Sequence, residues 1–121
     1  SSDMRNWGDT MTVTYEAEYL ILVSVIRASI DNIDVIAIED ANGEVFRKVY
    51  QRKDSLSDTE RKYTFYLTEE EGNANITKLV LYGSEATTEP GSGFPLCEQP
   101  VDIEKTNTQS LLIYWTVKVV A

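Results

Sequence analysis

The side chains that could do chemistry in this chain are few, and the absent type narrows the field most. There is no histidine among the 121 residues. That removes the usual general base and the commonest metal ligand, and with them any Ser-His-Asp or Cys-His nucleophile system built from this chain alone. Carboxylates remain. Glu69, Glu70 and Glu71 stand beside Gly72 and Asn73, oxygen ligands of the kind Ca²⁺ takes. Their spacing is not that of an EF-hand, and consecutive residues on an extended chain point apart, so a solvated acidic loop is expected and no metal. Asp31, Asp34, Glu39 and Asp40 lie near turns. Two of them could meet as a general acid and base, but nothing in their spacing requires it.

The remaining candidates lead to the same place. Cys97 is the only cysteine, so no intrachain disulfide can form. With prolines nearby and no basic neighbour to lower its pKa, it reads as a small apolar residue at a core or edge, not as a reactive thiol. Gly91-Ser-Gly93 lacks the lysine and following helix of a phosphate loop. Asn75-Ile-Thr77 fits the glycosylation sequon, which matters only in a secreted eukaryotic protein. No cofactor and no enzymatic activity are expected.

Binding surfaces are the alternative to catalysis. The net charge of −9 repels nucleic acid and anionic membranes, so neither is expected as a partner. Seven tyrosines are available. Tyr66, Tyr82 and Tyr114 are candidates to face outward, where aromatic platforms bind proteins or sugars. Trp7 stands alone in the polar stretch Ser1 to Thr10. That stretch reads as an N-terminal arm, with Trp7 either tucked onto its own domain or anchored on a neighbouring subunit. Ser1 to Asp9 has no basic region followed by an apolar one, so no signal peptide is expected. Tyr19 to Ile26 is too short an apolar run to span a bilayer.

The elements that would position these residues read as strands. From Leu111 to Val119 the odd positions are Leu, Ile, Trp, Val and Val, while the even ones are mixed. Side chains alternate across a strand, so one face packs on a core. Met11 to Arg27 alternates likewise through Val13, Tyr15, Ala17, Tyr19, Ile21, Val23 and Val25. A strand is preferred there to a helix over Glu16 to Ile30. Ile33 to Glu39 and Glu44 to Arg52 flank Asn42-Gly43, a strong hairpin signal. Lys53 to Thr59 reads as a polar loop and Glu60 to Thr68 as a strand. Ile76 to Tyr82 is a strand, and Thr87 to Gly93 a flexible loop. Phe94 to Ile103, with Pro95 and Pro100, is an edge strand, a broken strand or an extended loop. At 121 residues one domain is expected, over 11–121 after the arm of 1–10. The fold class is all-β: an antiparallel β-sandwich, jelly-roll or Ig-like, of about seven or eight strands.

Residues 72–120 also carry a resemblance. Ile76, Leu79, Leu81, Tyr82 and Gly83, then Leu96, then Ile103, Lys105, Thr106, Leu111, Ile113 and Trp115 resemble the C-terminal part of small β-rich structural and tail-fibre-type proteins of tailed bacteriophages. Val80 stands where that pattern has a glycine before its leucine. The resemblance implies a structural virion component of the tail, neck, baseplate, fibre or capsid decoration. Such a protein would be made in the bacterial host cytoplasm and assemble with other virion proteins and copies of itself. A carbohydrate-binding sandwich, with a host-surface glycan as its ligand, is the rival from another class.

Overall fold

The computed structural model describes residues 11–22 and 30–120. The expected arm with Trp7, and the end of the Met11 to Arg27 run, lie outside them. The described residues form an all-β sandwich. Its strands are β1 (Met11–Leu22), β2 (Ile33–Asp40), β3 (Gly43–Val49), β4 (Arg52–Ser57), β5 (Glu60–Leu67), β6 (Ala74–Gly83), β7 (Phe94–Lys105) and β8 (Gln109–Val120). One sheet has the order β1-β8-β5-β4 and the other β3-β2-β6-β7. Hairpins alternate between the layers: β2–β3, then β4–β5 in the other sheet, then β6–β7 back in the first. β8 returns antiparallel to β5 and parallel to β1. Among the described residues the β1–β8 pair is the one parallel pairing, the others being antiparallel.

The core follows from the alternation. Leu111, Ile113, Trp115, Val117 and Val119 of β8 are all buried, the odd face expected from the sequence. They pack with Tyr63, Phe65 and Leu67 of β5, and against Ile36, Ile38, Ile76, Leu79 and Leu81 of the opposite sheet. Buried Tyr63 needs a partner for its hydroxyl, and that group donates to the Ile30 carbonyl at 2.6 Å. Burial, with the Asp31 charge added, pushes its phenol pKa well above the ordinary value. Its ring meets Tyr50 edge-on at 5.2 Å. Trp115 is also fully buried, yet its indole N–H finds no acceptor among the described residues.

Three segments differ from the sequence reading. Lys53 to Thr59 is mostly strand, since β4 pairs with β5 from Arg52↔Thr64 to Ser57↔Glu60. β4 is an edge strand exposed over most of its length, so it carries no apolar alternation to betray it. Its partner's hydrogen bonds, not burial, hold it extended. β3 stops at Val49, and Tyr50-Gln51 carries the chain across to the other sheet. Phe94–Lys105 resolves as an edge strand, and its two register shifts fall beside Pro95 and Pro100, which cannot donate to the ladder.

The third difference is the loop before β7. Its Gly and Ser content suggested flexibility, but it is strapped to the outer face of the β2 sheet. Arg47 of β3, 4% exposed, donates to the carbonyls of Thr87 and Ser92 at 3.2 and 3.0 Å. Its other nitrogens hold Glu44, and its guanidinium lies 4.0 Å over the Tyr82 ring. The Ala86 N–H donates to Asp34. Val35, Ala37 and Val80, on the opposite face from Ile36 and Ile38, are buried as completely as the core. Gly93 has φ +73°, and a Cβ there would strike Ala86 and the Gly83 carbonyl. Glycine serves here for close approach of backbones.

Candidate functional site

The outer face of the β1 sheet carries two of the singled-out tyrosines. Register places side chains there in rows. Thr14, Leu112 and Tyr66 form one row. Glu16, Tyr114, Thr64 and Arg52 form the next, and Glu18, Thr116, Lys62 and Asp54 the third. Tyr66 and Tyr114 are therefore diagonal neighbours, each half-buried. Tyr82 faces the other way, out of the opposite sheet and under Arg47. The four candidates thus do not converge: Trp7 is outside the described residues, and the other three divide between two faces.

One ring face each of Tyr82 and Tyr114 is also occupied. The Lys62 ammonium stands 4.3 Å from the centroid of Tyr114, as Arg47 does over Tyr82. Both are cation–π contacts, and each covers a face on which a sugar ring would stack. Beside Tyr114 lies a shallow groove of about 420 Å³, lined by Arg52, Asp54, Lys62, Thr64, Leu112 and Tyr114 among others. Sequence reading missed Arg52 and Lys62, because their approach to Tyr114 and Thr64 depends on strand pairings between distant segments.

The carboxylates have other occupations. Asp31 holds Arg61 at 3.0 Å and Lys53 at 3.3 Å. Burial alone would raise its pKa, but the hydrogen bonds from Arg61 and Lys53 outweigh that and lower it. Asp34 accepts the Ala86 amide, Glu39 pairs with Lys78 at 3.7 Å, and Asp40 accepts the Asn42 N–H at 2.8 Å. Asp31 and Asp34 do line one open depression of about 430 Å³ with Asn32, Ser84 and Glu85. Each is already engaged, Asp31 by two cations and Asp34 by the Ala86 N–H. Among the described residues no group of three or more acidic, Cys or His side chains could hold a metal ion.

The Glu69 to Glu71 run is more structured than a solvated loop. Glu71 takes the Lys48 ammonium at 2.6 and 2.8 Å and the Thr68 N–H at 2.9 Å. Buried Lys105 reaches the Thr68 carbonyl and Asn73 below it, both at 2.8 Å. Burial would raise the Glu71 pKa; the Lys48 and Thr68 bonds prevail and hold it below the usual range. A carboxylate depressed in the folded state stabilises fully above its unfolded pKa of about 4.3, and that contribution is lost as pH falls through the folded value. Glu71→Gln should therefore lower the urea midpoint at pH 7, with the gap to wild type closing below about pH 4. A gap that stays constant down to pH 3 would show that the charge is not what matters. Cys97 is half-buried on β7, with its thiol pKa pushed up to about 11, first by burial and then by Glu98. It lies on an edge strand, opposite Leu81.

The least guarded feature is an edge. Exposed strand edges template pairing with other chains, and proteins blunt them with proline, bulges, shortness or charge. β7 has two prolines and two register shifts. β3 is 7 residues long with a shift beside Glu39, and β4 is 6 residues long with a shift beside Ser57. β1 runs in unbroken register with β8 for its full 12 residues, without proline. Among the described residues it has a partner on one side only. Val13, Tyr15 and Ala17 lean half-buried against the core, and Glu16 and Glu18 face outward. Comparison with known protein families, curated proteins and solved structures returns no match for this chain.

Proposed function

We propose that this chain is a non-enzymatic structural subunit that works by protein–protein assembly, taking a strand from a neighbouring protein onto the edge of β1 that is unpaired among the described residues. The observation that carries this reading is the contrast among edges: three are shortened, bulged or broken by proline, while β1 is long and regular and, among the described residues, paired on one side only. Backbone pairing along such an edge gives affinity, and alternate side chains give register. The resemblance of residues 72–120 supplies the kind of particle, a tailed-phage virion, in which this would be a tail, neck, baseplate, fibre or capsid-decoration component. Its partners there are other virion proteins and further copies of itself. The assembly reading is preferred to the glycan-binding alternative because cations cover one ring face each of Tyr82 and Tyr114, which leaves Tyr66 as the one aromatic candidate among the described residues without such a cover.

An inward charge on the edge strand tests this. Ala17 is half-buried, facing the core at the rim, where a lysine can extend its stem and keep its ammonium in water. Ala17→Lys should leave the circular dichroism of the fold intact and abolish association through β1. If the variant associates as wild type does, the edge is not the joint.

A further inference from the structure

On the outer face of the β1 sheet most charges are already matched. Glu18 and Glu60 share Lys118 at 3.8 and 4.0 Å, and Arg52 holds Asp54 at 2.8 Å. Two are not. Among the described residues Glu16 makes no ion pair or hydrogen bond, and Lys62 has only the Tyr114 ring. They stand on either side of β8, Glu16 on β1 and Lys62 on β5, with Leu112, Tyr114 and Thr116 between them. The face is thus acidic along β1 at Glu16 and Glu18, apolar and aromatic at Leu112 and Tyr114 of β8 with Lys118 towards its end, and in the groove carries Lys62 beside the Arg52–Asp54 pair.

We infer that this face is a two-fold interface with a second copy of the chain. A two-fold axis laid along β8 sets Leu112 and Tyr114 against their own counterparts. It also lays β1 of each copy over β5 of the other, keeping the rows in step. Glu18 then comes over Lys62 of the partner subunit, and Glu16 over Thr64 of the partner subunit, one row from that lysine. The contact is made twice, as a self-complementary interface requires. Aligned stacking of this kind is how sheets ordinarily pack face to face. The bare Lys62 gains the carboxylate of Glu18 of the partner subunit with Glu16 one row away, and Tyr and Leu supply the centre, where interface energy concentrates. The inference deepens the assembly reading but uses a face where that reading uses an edge, so the two can fail separately.

The test is sedimentation across a concentration series for wild type, Lys62→Glu, Glu16→Lys/Glu18→Lys, and the combination of all three. Lys62→Glu and the double variant should each weaken dimerisation by about tenfold or more, since like charges then face each other. The combined variant should recover most of the loss, because the reversed pairs attract again. Dimerisation of wild type should weaken with added salt, and Ala17→Lys should leave it unchanged. A wild type that stays monomeric to about 1 mM, weaker than any specific complex of note, overturns the inference. So does a dimer indifferent to Lys62→Glu, or one abolished by Ala17→Lys alone, which would assign association to the edge. A monomer whose Lys62 resonances shift with an acidic peptide would give the groove to a different partner and overturn it equally.

Discussion

Arg47→Met should lower the unfolding free energy by about 2–4 kcal/mol, the scale for removing a buried, multiply bonded charge. Methionine fills much of the same volume, so the loss isolates the guanidinium. Four partners are deserted together: the carbonyls of Thr87 and Ser92, the Glu44 carboxylate and the face of Tyr82. Glu44 can turn to water, since its side chain is 19% exposed; the strap carbonyls must find water by lifting. Hydrogen exchange at Ala86 and Thr87 should accelerate along with the fall in the urea midpoint, while β8 amides keep their protection relative to global unfolding. A change below about 1 kcal/mol with strap exchange unaltered would mean that Arg47 rests on the loop without holding it. The consequence of lifting is local and apolar: Val35, Ala37 and Val80 would open to solvent.

Trp115→Ala should cost about 3–5 kcal/mol, the range for deleting a large buried aromatic. The residue sits in the middle of β8, with Ala17 on one flank and Tyr63 on the other, so the cavity would lie at the centre of the β1 sheet's inner face. Trp115→Phe separates packing from polarity. It shortens the ring system but removes the indole N–H that has no acceptor, and an unpaired buried donor itself costs about 1–3 kcal/mol. The two effects oppose, so Trp115→Phe should stay within about 1 kcal/mol of wild type. Chemical denaturation of both variants checks this. A phenylalanine variant as damaged as the alanine one would show that the indole N–H does have a partner.

What was legible in the sequence was what burial writes into alternation. β8 could be read to the residue, since each odd position from Leu111 to Val119 faces the core. The β2–β3 hairpin was legible from Asn42-Gly43, and Gly43 does take a positive φ of 129°. β4 was not, because an edge strand exposed on both faces is held by its neighbour's hydrogen bonds and leaves no apolar period. The strap was misread because Gly and Ser report local freedom, whereas its order comes from Arg47, a residue on another strand. The parallel partnership of β1 with β8 joins nearly opposite ends of the chain, and alternation in either strand is silent about its neighbour. For the same reason Tyr66, Tyr82 and Tyr114 could be named as aromatic candidates but not sorted onto faces. Lys62 over Tyr114 is visible only once β5 and β8 are in register.

The contrast between two of the edges lies in their composition. Met11 to Leu22 holds no proline or glycine, while Phe94 to Lys105 holds two prolines. That difference acquires meaning when both segments prove to be edges.

The most direct measurement is the mass of the chain in solution by light scattering over a wide concentration range, for wild type beside Ala17→Lys. Wild type should grow in mass with concentration beyond a dimer, as an open edge and a two-fold face together allow. Ala17→Lys should stop at the dimer. Equal masses for the two proteins at every concentration would contradict assembly through β1, and with it the structural role proposed for this chain.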